Sequence, residues 1–187
     1  MKCNIQTNRV LNINNPKTFT EKLQWLKLNF RTAEQTICAD KYAVRDYLIK
    51  KGYEKLLNNI IGVWDDVDKI DFNLLPNKFV LKATHGSSMH LIVKDKTEIN
   101  WVVRKKIMKS WLKQNIYIDG REWPYKNIKP QIICEEFIET EDNDLKDYKF
   151  FCFNGEPEFI QVDSERFTGH KRSFFDKFWN LQKFQLG

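Results

Sequence analysis

Two apolar runs joined by a turn signal do most to restrict the folds open to this chain. Tyr148–Phe153 and Phe159–Val162 flank Asn154-Gly155-Glu156-Pro157. Asn-Gly favours the left-handed backbone of a tight hairpin, so the runs predict antiparallel neighbours rather than a parallel pair with a helical crossover. Phe79–Lys82 and Leu91–Val93 read the same way across the small-residue stretch His85-Gly86-Ser87-Ser88. Asn59–Trp64 and Gln131–Phe137 add two further strands. Hairpins among dispersed helices predict an α+β fold with antiparallel sheets in two lobes.

Three helices are expected around these strands. Thr18 or Thr20 can cap the first, with Glu21 in its favourable first turn and Leu23, Trp25, Leu26 and Leu28 following. The second spans 36–51 and stops at Gly52, with Ile37, Ala43, Val44, Tyr47 and Leu48 inward and Asp40, Lys41, Arg45 and Asp46 toward solvent. The third, 101–114, is basic and amphipathic, able to fill a core or approach an anionic membrane. Residues 118–125 read as a loop, and 139–144 as an acidic connection. The resulting division is an N-terminal helical segment, 1–57, a first lobe, 58–133, and a second lobe, 134–187.

With 187 residues and 42% hydrophobic content, the chain can build one sizeable core or two small ones. Its formal charge of +6 suits phosphate, a membrane surface or nucleic acid and selects none of them. The basic residues are interleaved with acids and form no compact recognition motif, so nucleic acid is not an expected partner. Met1–Asn8 is polar and no run is long enough to span a bilayer. A cytoplasmic chain is expected, at most peripheral to the inner face of a membrane. Cys3, Cys38, Cys134 and Cys152 have neither metal-ligand nor disulfide-framework spacing.

Lys82 follows three apolar strand residues, so a fixed backbone delivers its ammonium to the lip of the small-residue loop. Such a lysine is a compact phosphate counter-charge, and Gly86, Ser87 and Ser88 let backbone N–H groups approach oxygens closely. A surface lysine beside a hairpin turn is the plainer alternative. The spacing is not that of a P-loop. Lys149 repeats the arrangement on a later strand, and Glu135, Glu136 and Glu139 form an acidic edge suited to a ribose or an exocyclic amine, or to offsetting local charge. His85 and His90 flank the loop without a zinc signature; a neutral histidine there can serve as a general base, and hydrogen bonding to phosphate or substrate is the more economical reading. Asp163, Glu165, Arg166, His170, Lys171 and Arg172 cluster after the last strong strand, as a site for an acidic substrate or as a solvated loop.

Further segments fall into one order: Pro16–Leu26, Ala39–Arg45, Lys78–Lys82 with His85-Gly86-Ser87, Gly120–Tyr125, Asp147–Pro157, Val162-Asp163-Ser164, Arg166-Phe167 and His170-Lys171-Arg172. In this order they resemble the TupA-like branch of the ATP-grasp proteins, found in bacterial polysaccharide and cell-wall polymer biosynthesis and often labelled glycosyltransferase-like. The resemblance implies ATP held between two α+β lobes, with Lys82 and Lys149 on its phosphates. Glu135, Glu136, Phe137 and Ile138 would form the hinge that meets adenine, and His85, Gly86, Ser87 and Ser88 the phosphate loop. Asp163, Arg166, His170, Lys171 and Arg172 would face substrate. In related ligases ATP activates a carboxylate as an acyl phosphate, which an amine then attacks.

Two departures bear on that expectation. Ser88-Met89-His90 stand where the family usually carries a glycine and, shortly after, an asparagine. The family also continues into an acidic strand segment bearing its Mg2+ ligands, whereas this sequence ends at Phe184-Gln185-Leu186-Gly187. Metal ligands and catalytic residues are therefore left unassigned, and the expectation of efficient phosphoryl transfer weakens. The leading expectation is an ATP-grasp-like protein of surface polysaccharide assembly, with a polysaccharide precursor or nucleotide-sugar and a membrane-associated biosynthetic complex as partners. The alternatives are a glycosyltransferase using a nucleotide-sugar donor and a non-catalytic nucleotide- or partner-binding module.

Overall fold

A computed structural model describes residues 10–141, 144–165 and 169–184. The chain divides into two compact units, Met1–Phe137 and Ile138–Gly187. Each contains one antiparallel sheet, so the architecture is α+β as expected. A boundary at residue 133 would fall inside a strand of the first sheet.

The first unit opens with α1 (Phe19–Asn29), α2 (Ala33–Ala39) and α3 (Ala43–Lys50). Thr18 and Thr32 cap α1 and α2 by reciprocal side-chain and backbone hydrogen bonds with Glu21 and Gln35. The single helix expected over 36–51 is therefore two. Asp40 breaks it: its backbone turns extended, and its carboxylate accepts from Tyr42 N–H at 2.8 Å. That local hydrogen bond competes with continued helix.

Strands β1 (Ile60–Trp64), β2 (Phe79–Ala83), β3 (His90–Val93) and β4 (Ile132–Glu136) form a sheet in the order β1-β4-β2-β3. Burial alternates along β2 as the period of a half-buried strand demands. Phe79, Leu81 and Ala83 join Val93, Ile132 and Cys134 in the core, where Val67, Ile70 and Met108 meet them. Helix α4 (Trp101–Leu112) contributes Met108 and Trp111 to that core, so its apolar side serves packing. Residues 116–120, partly read as loop, form the short helix α5 (Ile116–Gly120), followed by a 3-10 turn at Trp123–Tyr125.

The second unit carries β5 (Asp147–Phe153), β6 (Glu156–Ser164) and β7 (Lys171–Asp176) in sequential order. Asn154 and Gly155 turn the first hairpin with φ of 51° and 88°, both left-handed, as Asn-Gly predicts. The polar segment beginning at Lys171 is not a solvated loop. It pairs with β6 from Ser164↔Lys171 to Phe159↔Asp176. Backbone pairing overrides its low apolar content, because alternate positions can point charges along one face.

Candidate functional site

In the first unit the site lies on the sheet face opposite the core. Register places Lys82 against Ile133 and Val80 against Glu135, so Lys82 and Glu135 share that face. Lys82 Nζ donates to Glu135 Oε2 at 2.6 Å. Glu135 is only 9% exposed, while the Lys82 side chain keeps a third of its surface. His90 sits across from Lys82 on β3 and is exposed.

The turn between α2 and α3, with the first turn of α3, adds two more cations to this face. Lys41 N–H donates to Thr84 O at 3.1 Å, and its ammonium donates to Ala83 O at 3.0 Å and to Gly86 O. Arg45, one helical turn onward, donates through Nη2 to Asn58 O and lies 4.0 Å from Glu135 Oε1 through Nη1. Burial, and next the positive charge of Lys82, push the Lys41 ammonium below its ordinary pKa, while Asp40 and Glu135 oppose. Lys41, Arg45 and Lys82 are thus three cations near the carboxylate of Glu135, with Asp40 the second acid acting on Lys41. A cluster with surplus positive charge and limited hydration favours an anion.

The loop beside them is firmly held at one end and open at the other. Thr84 N–H donates to Gln131 O at 2.9 Å, and Ala83 N–H to Met89 O at 2.9 Å. His85 is 2% exposed, and its Nε2 lies 2.9 Å from Trp111 O at the end of α4. Its buried Nδ1 has no partner, and burial is the main influence depressing its pKa. As Nε2–H donor to a carbonyl, the neutral ring ties the loop to the end of α4. Gly86 is buried: a Cβ there would stand 2.2 Å from Met89 Cε and 2.4 Å from Ile116 Cδ1. Ser87 and Ser88 are exposed, Ser88 at a left-handed φ of 60°.

The expected hinge begins at Glu135, whose side chain serves Lys82. The Glu136 backbone is already engaged, its N–H by Asn59 O at 3.1 Å and its C=O by Asn58 Nδ2 at 2.8 Å. Phe137 ends the first unit and Ile138, largely exposed, starts the second.

In the second unit Asp163 is the hub, 1% exposed. It accepts from Lys149 Nζ at 2.7 Å, Arg172 Nε at 2.7 Å and Gln161 Nε2 at 3.0 Å. His170 Nε2 stands 3.4 Å away. The Arg172 hydrogen bond leads in holding the Asp163 carboxyl far below the usual range, with Lys149 and Gln161 adding to it against burial. Lys149 also donates to Asp147 at 2.6 Å, and the two carboxylates raise its pKa. Lys171 faces away on a surface ion pair with Glu165, and Arg166 lies outside the described residues. Four of the residues expected near substrate or phosphate therefore do meet: Lys149, Asp163, His170 and Arg172.

A family model described as TupA-like ATPgrasp matches residues 21–185. The chain belongs to the TupA-like ATP-grasp family. No match was found among curated proteins or among solved structures. The TupA-like match spans both lysine-bearing sheets, and with them the Ala39–Arg45 segment whose polar residues sequence reasoning placed in solvent. Lys41 and Arg45 were missed because their pattern is that of a solvated helix face. The signal available was their location in a segment shared with the TupA-like proteins. Among the described residues, no group of three or more His, Cys, Asp or Glu side chains is placed to hold a metal ion.

Proposed function

We propose that the first unit binds the polyphosphate of ATP at Lys82, Lys41 and Arg45, in the service of carboxylate–amine ligation during surface-polysaccharide or cell-wall polymer assembly. The observation that carries this reading is the excess of three cations over the carboxylates of Glu135 and Asp40 at one half-buried sheet face, beside an open Ser87-Ser88 turn. TupA-like family membership supports the choice of nucleotide. The residues fit the phosphates: Lys82 is poised at the surface, Arg45 presents a planar fork, and Lys41 fixes the loop carbonyls while adding charge. ATP would supply the phosphoryl group that activates a carboxylate.

The chain's own part in this reading is binding and orientation. Lys82 and Arg45 neutralise phosphate oxygens, and Ser87 and Ser88 offer hydroxyl and backbone donors at the loop tip. Glu135 holds the Lys82 ammonium by a 2.6 Å hydrogen bond on the face where the phosphates would sit. His85 and Lys41 keep the loop from drifting.

Calorimetric titration of the full chain with ATP, with and without magnesium, tests the proposal. Binding should weaken by at least about tenfold in Lys82→Ala, the loss of one charge-assisted contact. Tripolyphosphate should compete and adenosine should not. Unchanged ATP affinity in a folded Lys82→Ala variant, or no affinity in the wild type under either condition, refutes it.

A further inference from the structure

Helix α1 departs from the usual logic of a surface helix. Phe19, Leu23 and Leu26 recur at i, i+4 and i+7, and the capping residue Phe30 extends the series to i+11. These positions lie on one stripe of a helix. A stripe of this kind normally turns toward the protein. Here it turns outward: Phe19 is 66% exposed, Leu23 42%, Leu26 41% and Phe30 51%, and α1 buries no residue at all. The other side is mixed: Leu28, 46% exposed, stands there among polar residues. Glu21, Gln24 and Lys27 are its half-buried positions, with Lys27 in a 3.5 Å ion pair with Glu122.

Charge on α1 is as uneven as its apolar surface. At 100° per residue, Lys22 and Lys27 flank the stripe at about 60° on one side and about 80° on the other of Phe19. Lys17 precedes the helix and is exposed, as is Lys22. Glu21, the one acid in the helix, is folded back on the chain. Its carboxylate accepts from the N–H groups of Asn12 and Lys17 at 3.0 Å and of Thr18 at 2.9 Å. Those bonds hold its pKa at about 2, so it stays engaged as an anion at the helix N-terminus. What α1 shows to the outside is an apolar stripe, lysine, and the separate apolar positions Trp25 and Leu28, 40% and 46% exposed.

We propose that α1 is an interfacial helix that docks the chain on an anionic lipid surface, with Phe19, Leu23, Leu26 and Phe30 entering the headgroup boundary and Lys17 and Lys22 meeting lipid phosphates. The helix lies along the surface. Its 11 residues reach about 16 Å, and no described helix is long and apolar enough to cross a membrane. Charge selects lipid over a second copy of the chain. A symmetric pairing of two stripes would bring their flanking lysines together, whereas anionic headgroups neutralise them. The proposal concerns the first unit alone and is independent of nucleotide binding.

Co-sedimentation of the full chain with vesicles tests it. Equimolar phosphatidylcholine–phosphatidylglycerol vesicles should bind the protein, and pure phosphatidylcholine vesicles should bind it roughly tenfold less. Leu26→Glu should abolish binding, and Lys22→Glu should lower it roughly fivefold. Leu74→Glu, at an exposed apolar position elsewhere in the unit, should change nothing. Circular dichroism and thermal melts establish that each variant folds; if Leu26→Glu does not, Phe19→Ser replaces it. No binding to anionic vesicles, or binding that survives the folded stripe variant, overturns the proposal. Wild-type self-association that Leu26→Glu removes, with no vesicle binding, overturns it in favour of a second copy.

Discussion

Glu135 and Asp163 each hold a lysine on a sheet face, yet the two pairs are built for different ends. Asp163 receives three side-chain donors, Lys149, Arg172 and Gln161, and His170 Nε2 stands 3.4 Å away. Its charge is saturated and its cations are tied to it. Glu135 takes one short bond, from Lys82, with Arg45 at 4.0 Å and Lys41 bonded to neutral carbonyls. The backing differs as well. Behind Lys82 lies a continuous core including Phe79, Leu81, Met108 and Ile132, whereas among the described residues of the second unit the buried apolar side chains are Ile160 and Phe174. A well-packed sheet can carry unneutralised charge on its far face. A thinly packed one needs its charges neutralised to hold its strands together.

Removing the two acids should separate these roles most sharply. Asp163→Asn leaves Lys149 and Arg172 facing an amide and should cost the second unit about 2–3 kcal/mol, a figure tempered by the partial exposure of both cations. Urea unfolding followed at Trp179, which contacts Tyr148 and Phe175, reports that unit. Its pH dependence has a definite sign. A carboxyl depressed by folding contributes stability above its unfolded pKa of ~4, and that contribution is lost as pH falls from there toward the lower folded value. The wild-type midpoint should therefore drop below about pH 4, and Asp163→Asn should lack that part of the drop. A variant as stable as wild type would show that the hub is not structural.

Glu135→Gln should cost less, about 1 kcal/mol, because Lys82 can turn to water. It should also strengthen tripolyphosphate binding several-fold in calorimetry, since one carboxylate no longer competes for three cations. Weaker binding would mean that Glu135 positions Lys82 more than it screens it. The smallest effect is expected at the loop tip. Ser88→Gly relieves a left-handed φ and should stabilise the first unit by only a few tenths of a kcal/mol, net of glycine's entropy. The matching turn in the second unit needs no such relief, because Asn154 tolerates that conformation.

Which features the sequence made legible follows the same division between local and distant. The Asn154-Gly155 hairpin and the alternation of β2 are local signals, and both elements formed where their residues predict. The break at Asp40 was also local, but the surrounding helical pattern concealed it. β7 has few apolar residues, so its identity came from pairing with β6 rather than from its own composition. At the site, Lys82 was legible because a strand fixes where alternate side chains point. Lys41 was not, since its partner carbonyls lie 42 and 45 residues away. His85 was readable as a residue near the loop, but its anchoring to Trp111 depends on where α4 ends.

The strand order β1-β4-β2-β3 also dictates when the first sheet can be completed. β4 lies between β1 and β2 and pairs with both, although it leaves the ribosome about fifty residues after Ala83. At ~5–20 residues per second, the facing edges of β1 and β2 stay unpaired for several seconds during synthesis. Two apolar strand edges held open for that long form a template for any extended segment nearby. The nascent chain thus has a vulnerable interval that closes only when Ile132–Glu136 arrives to fill the gap.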